Sequence, residues 1–131
     1  MRLVVDSSVW IDYFNNTDSP QVERLQRMLG VREIVVGDIV LTEVLQGFRS
    51  DLEYKRALEL LGRFEIVPML GRELAVASAR NYRRLRKAGV TVRKTLDVMI
   101  GTYCLINNLP LLYSDRDFNP MVEHLGLIAV R

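Results

Sequence analysis

A single cysteine, Cys104, stands in the whole chain, which excludes an internal disulfide and a thiolate-built metal site. Histidine is as scarce. His124 is alone near the C-terminus and is read as a surface or packing residue. No apolar run approaches the roughly 20 residues that a membrane helix needs. Met1-Arg2 leads directly into a strand-like run with no signal-peptide pattern, so a cytoplasmic protein without a membrane span is expected. The common catalytic signatures are missing too: no G-x-S-x-G elbow, Walker loop, dinucleotide glycine fingerprint or H-E-x-x-H occurs. Linkers, internal repeats and low-complexity tracts are also absent. One domain over residues 1–131 is therefore expected, long enough to bury roughly two thirds of the surface of its unfolded chain.

What is present is an alternation of short apolar runs with helical patterns. Leu3-Val4-Val5 is short enough to be only a buried strand, and Ser7 or Ser8 can cap a helix starting near Val9. Ser19-Pro20 reads as N-cap and first helical residue, Val22, Leu25, Met28 and Leu29 follow at helical spacing, and Gly30 ends the segment. Ile34-Val35-Val36 is a second strand, followed by helices over about 39–48 and 51–61. Phe64 to Val67 makes a third strand, closed by Pro68. Residues 72–88 form the clearest amphipathic helix, with Leu74, Ser78, Tyr82 and Leu85 on one face. Thr95 can cap a helix over about 96–107 that is apolar nearly all round and therefore belongs inside the protein. Leu111 to Tyr113 is a fourth strand, a short helix follows near 119–124, and Leu127 to Val130 can add a fifth strand. Strands alternating with helices imply parallel βαβ units with helices on both faces.

Charge is distributed unevenly. Residues 72–94 carry eight basic side chains against Glu73 alone, a local charge of +7, so that with a total of +2 the remainder of the chain is at −5. Four of the acids in that remainder stand at the ends or edges of apolar segments: Asp6, Glu43, Asp97 and Asp115. Asp6 directly follows the first strand, and Asp115 follows the fourth. Ligands of open parallel sheets bind at the carboxyl ends of strands. Carboxylates gathered there repel one another unless a cation holds them, and an all-oxygen set suits a hard ion, Mg²⁺ or Mn²⁺. Each acid also has an ordinary reading. Asp6 can instead be a helix-capping aspartate, Asp97 sits in a first turn, where a carboxylate is ordinary, and of Asp115 and Asp117 one can bind metal while the other caps the helix beyond Phe118.

The runs Val4-Val5-Asp6-Ser7-Ser8-Val9-Trp10-Ile11, Thr42-Glu43-Val44-Leu45-Gln46-Gly47, Leu96-Asp97-Val98-Met99-Ile100-Gly101 and Leu111 to Phe118 resemble, in order and over essentially the whole chain, the PIN-domain ribonucleases. The closest likeness is to the VapC toxins of toxin–antitoxin pairs. That resemblance implies a PIN-like α/β/α three-layer sandwich around a parallel sheet of four to five strands. It implies a metal-dependent endoribonuclease in which Asp6, Glu43, Asp97 and Asp115 hold one or two Mg²⁺ or Mn²⁺ ions and cut RNA, with tRNA and rRNA among the family's targets. Asp6 and Asp97 would hold the ion that acidifies a water, Glu43 would assist its deprotonation, and Asp115 would hold a second, weaker ion. Ser8 matches a small polar position beside the first acid. The family often has a small hydroxyl residue two positions before the last acid; Tyr113 stands there, Ser114 is adjacent, and Asp117 can share the last acid's role. Arg80, Arg83, Arg84, Lys87, Arg93 and Lys94 are expected to guide RNA.

The resemblance further implies a homodimer neutralised by a VapB-like antitoxin whose tail enters the active-site groove. Trp10, Tyr13, Phe14, Leu52, Tyr54 and Leu58 are candidates for apolar contact, with core packing the stronger reading for Trp10 and Phe14. A haloacid-dehalogenase-type phosphatase needs an aspartate where Ser8 stands, and a phosphorelay receiver needs one where Val67-Pro68 stands; both are disfavoured. The remaining alternative is a catalytically silent PIN-like module that binds RNA or protein, against which the four intact acids argue.

Overall fold

A computed structural model describes residues 2–130. Four parallel strands form one sheet in the order β3-β2-β1-β4, with β1 at Arg2–Val5, β2 at Glu33–Gly37, β3 at Glu65–Val67 and β4 at Leu111–Leu112. The helices around it are α1 (Ser7–Phe14), α2 (Pro20–Met28), α3 (Asp38–Leu45), α4 (Asp51–Leu61), α5 (Arg72–Lys87), α6 (Thr95–Asn107) and α7 (Asn119–Leu125). The result is the expected three-layer α/β/α sandwich.

The two central strands and β4 explain why the sheet is sandwiched. Leu3, Val4, Val5, Ile34, Val35, Val36, Leu111 and Leu112 are all essentially inaccessible, so side chains on both faces are covered. β3 is the exposed edge: only its Val67 is buried. Inside α6, Val98, Ile100, Gly101, Thr102, Tyr103 and Cys104 are buried, as its apolar circumference predicts. The inner face of α5 is the predicted one, with Ser78 and Leu85 buried and Leu74 and Tyr82 packed partly against the core.

Four sequence expectations need correction. Asp6, not a serine, is the N-cap of α1, because the first residue after β1 already has the extended backbone of a cap (φ −69°, ψ 157°) and its carboxylate reaches the Ser8 N–H. Thr95 lies inside α6; Lys94 takes the N-cap position and makes no side-chain capping bond. The fifth strand reduces to one parallel bridge between Leu111 and Ala129, three residues after the left-handed Gly126 that ends α7. Neither Asp115 nor Asp117 caps α7: Phe118 occupies that position, and Asp115 caps instead the 3₁₀ turn Arg116–Phe118.

The strand order places the site. The chain runs from β1 outward through β2 to β3, then returns to place β4 on the other flank of β1. The direction of winding therefore reverses between β1 and β4, and a crevice opens at their carboxyl ends. Backbone bonds hold the two exits together: the Asp6 N–H donates to the Leu112 carbonyl at 2.9 Å. Asp6 and Asp115 thus emerge on either side of the crevice.

Candidate metal centre

The Asp6 carboxylate is 2 % exposed, at the end of β1. Its Oδ2 accepts from the Ser8 N–H at 3.0 Å and from the Ser8 hydroxyl at 2.6 Å. The same Ser8 Oγ accepts from the Ser114 N–H at 3.1 Å, which ties the loop after β4 to the start of α1. Asp6 Oδ1 is buried and has no hydrogen-bond partner. Burial raises the Asp6 pKa, the Ser8 and Ser7 hydrogen bonds oppose that rise, and the charge of Asp115 adds to it.

Glu43 projects from α3, half-buried, and its Oε1 accepts from the Ser7 hydroxyl at 3.0 Å. Burial raises its pKa as well, with Ser7 opposing and Asp6 repelling. Asp97, in the first turn of α6, is 6 % exposed, and its Oδ2 also lacks a hydrogen-bond partner. Burial pushes it up to about 7, against the pull of Lys94, and repulsion from Asp6, Asp115 and Glu43 adds to the rise. Asp115 is different. Partial burial acts to raise it, but the Lys94 hydrogen bond, the Asp117 N–H and Arg93 outweigh that and hold it below the usual range.

These mutual effects mean that side chains from four separate elements share one electrostatic neighbourhood. Carboxylate oxygens of Asp97, Asp115 and Asp117 all lie within 4.8 Å of one another, and Asp117 donates its backbone N–H to Asp115 Oδ1 at 2.9 Å. The donor set fits a hard divalent cation. Two of the buried acids keep an oxygen free, no thiol or imidazole contributes, and unpartnered buried carboxylate oxygens are unfavourable unless something positive meets them.

The basic residues divide. Arg93 and Lys94 line a cavity of about 70 Å³ together with Asp97, Arg116 and Asp117, so these two stand at the acids. The Lys94 ammonium donates to Asp115 Oδ2 and lies 3.8 Å from Asp97 Oδ2. Arg83 lines a different, mostly apolar groove between α5 and α6, of about 360 Å³, with Leu70, Ala79 and Met99. Arg80, Arg84 and Lys87 are exposed along α5. Sequence reading missed Ser7 as the partner of Glu43 and Arg116 as a wall of the acidic cavity. Ser7 was visible as a polar residue beside Asp6; nothing in the sequence singles out Arg116.

Other candidates separate by burial. Trp10 is fully buried and packs against Tyr13, Phe14 and Phe64. Leu52, Tyr54 and Leu58 on α4 are 58 %, 40 % and 42 % exposed and are free to meet a partner. His124 is exposed on α7. The Cys104 thiol is buried and pushed up to about 12, mainly by that burial, which leaves it inert near neutral pH.

The profile of the PIN domain family matches residues 3–122. The chain belongs to the PIN domain family. Among curated relatives of this PIN domain, Ribonuclease VapC11 of Mycobacterium tuberculosis is 27 % identical over 132 residues, covering 97 % of this chain and 96 % of the relative. The toxin–antitoxin complex VapBC2 of Rickettsia felis, solved on a promoter DNA fragment, superposes with a TM-score of 0.78 at 16 % identity, over 99 % of this chain and 98 % of the matched one. VapBC-1 of nontypeable Haemophilus influenzae superposes with a TM-score of 0.75 at 20 % identity, over 99 % and 97 %. At such identities the structures establish the fold of this PIN domain.

Proposed function

We propose that this PIN domain is a VapC-like toxin: a Mg²⁺- or Mn²⁺-dependent endoribonuclease that hydrolyses phosphodiester bonds of cellular RNA in the cytoplasm and is neutralised by a cognate VapB-like antitoxin. The observation that carries the reading is the pair of buried carboxylate oxygens that accept no hydrogen bond, Asp6 Oδ1 and Asp97 Oδ2, among acids at the sheet's switch point. Full-length likeness to a VapC ribonuclease supports the RNA-cleaving chemistry. The VapBC complexes among the structural neighbours support an antitoxin partner.

Asp6 and Asp97 would hold the ion, with Glu43 and Asp115 at its flanks. When bound, a divalent ion supplies Lewis acidity and neutralises phosphate charge. Glu43 takes the proton of the attacking water: Ser7 fixes one of its oxygens, and burial raises its proton affinity above that of a free glutamate. Ser8 holds the Asp6 carboxylate in place through two bonds, a positioning role. Arg93 faces the same cavity as Asp97 and draws the RNA backbone toward it, while Arg80, Arg83, Arg84 and Lys87 extend the attraction along α5. Leu52, Tyr54 and Leu58 offer an apolar face to the antitoxin or to a second copy in a homodimer.

The test is cleavage of labelled total RNA by antitoxin-free protein with Mg²⁺, Mn²⁺ or EDTA, beside Asp6→Asn. Metal-dependent cutting that vanishes in the variant is expected. Cutting that persists in EDTA or in Asp6→Asn refutes the mechanism. Silence from folded, metal-loaded protein on all cellular RNA favours a binding module instead.

A further inference from the structure

We propose that Lys94 is a tethered cation that stands in for a second divalent ion, so that this site binds one metal ion per chain. The inference rests on the metal-dependent reading above and narrows it. Asp97, Asp115 and Asp117 form the one group of acids among the described residues whose ligand oxygens converge within 4.8 Å. That group already holds a positive charge. The Lys94 ammonium donates to Asp115 Oδ2 and sits 3.8 Å from Asp97 Oδ2, between two of the three carboxylates.

The occupancy of Asp115 is the decisive detail. Its Oδ2 is engaged by Lys94 and its Oδ1 by the Asp117 N–H at 2.9 Å, so neither oxygen is left without a donor. Asp6 Oδ1 and Asp97 Oδ2, by contrast, have no hydrogen-bond partner. The acids are therefore divided: Asp115 has both oxygens engaged, whereas Asp6 Oδ1 meets no donor and Asp97 Oδ2 meets only the Lys94 ammonium, at 3.8 Å and without a hydrogen bond. Asp6 and Asp97 would hold a divalent ion through buried oxygens that accept no hydrogen bond. A second ion at Asp115 would have to displace the ammonium or share carboxylates with it, and like charges at that separation repel strongly. Lys94 cannot simply withdraw with a loop: it is the residue immediately before α6, three positions from Asp97.

The ordinary reading of Lys94 is a surface ion pair with an exposed side chain, worth little. What separates the two is metal stoichiometry. Mn²⁺ titration by calorimetry, with free Mn²⁺ followed by electron paramagnetic resonance, is done on antitoxin-free wild type, Lys94→Gln and Lys94→Arg. The expected result is one Mn²⁺ per chain in wild type and in Lys94→Arg, two in Lys94→Gln, and a return to one in Lys94→Gln/Asp115→Asn. Lys94→Met serves in place of Lys94→Gln if that variant is unfolded by circular dichroism. Two ions in wild type, or one in folded Lys94→Gln, overturns the proposal while leaving the metal-dependent reading intact. No Mn²⁺ binding by any folded variant overturns both.

Discussion

Removing the Asp97 charge should make the metal-free protein more stable at alkaline pH. Asp97 is 6 % exposed, one of its oxygens has no hydrogen-bond partner, and its pKa is raised from 3.8 to about 7. The proton is thus held more tightly by the folded chain than by the unfolded one. Stability associated with this group is fully present below pH 3.8 and is lost as pH rises toward about 7. At about 1.4 kcal/mol per tenfold change in proton affinity, the full shift corresponds to about 4 kcal/mol. The shift to about 7 already contains the pull of Lys94, but the cleft beside Asp97 is lined by the half-exposed Lys94 side chain and is screened by solvent, so about 2 kcal/mol is the figure to expect at pH 8. In a chain of this size that is a rise in melting temperature on the order of 5–10 °C for Asp97→Asn. The assay is thermal unfolding followed by circular dichroism at pH 4.5 and pH 8, in EDTA and in Mn²⁺. Asp97→Asn should gain at pH 8 in EDTA, gain little at pH 4.5, and lose most of the stabilisation that Mn²⁺ gives the wild type. A variant that melts at or below the wild type at pH 8 in EDTA refutes the claim that Asp97 is a strained, cation-seeking carboxylate.

Two further outcomes follow from the same geometry. Ser8→Ala removes the hydroxyl that bonds Asp6 and accepts from the Ser114 N–H, and should cost about 1–3 kcal/mol in urea unfolding. The same variant should weaken Mn²⁺ binding about tenfold or more, and unchanged affinity would remove Ser8 from the support of the site. Double substitutions to Gln at Arg80/Arg84 or Arg83/Lys87, made in the Asp6→Asn background, should flatten the log–log salt dependence of single-stranded RNA binding by about 0.7 per lost phosphate contact. A slope that stays the same would mean that α5 does not touch RNA.

How much of this was legible beforehand depended on range. The strands could be read because three-residue aliphatic runs such as Leu3-Val4-Val5 and Ile34-Val35-Val36 have only one comfortable place, inside a sheet covered on both faces. Ser19-Pro20 was legible as a helix start because cap and first-turn chemistry are local, and Ser19 does accept from the Val22 N–H at 3.1 Å. The α1 cap was misread for a local reason too: two serines compete with an aspartate, and only the backbone angle at Asp6 decides between them. The fifth strand was overread because apolar alternation in residues 127–130 does not reveal that only one register position finds a partner on β4. The four acids were visible one by one at strand ends and helix starts. Strand order was not, and strand order makes neighbours of Asp6 and Asp115.

Lys94 illustrates the limit most directly. In sequence it belongs to a basic stretch and reads like Arg93 beside it. In the fold, the helix start at Thr95 turns its side chain toward Asp115, 21 residues further along the chain. Lys94 therefore bonds the acids directly and Arg93 lines the same cavity, while the basic residues on α5 stay exposed. That division also orders the energetics of the centre. Asp6, Glu43 and Asp97 have raised proton affinities because burial outweighs what their neighbours supply, whereas Asp115 is lowered because Lys94 and the Asp117 N–H outweigh its shallower burial. A site built only of the first kind would be unstable without metal, and one built only of the second would have no need of it. On the metal-dependent reading proposed above, combining them would let the metal-free fold keep its carboxylates in place while Asp6 and Asp97 favour a cation.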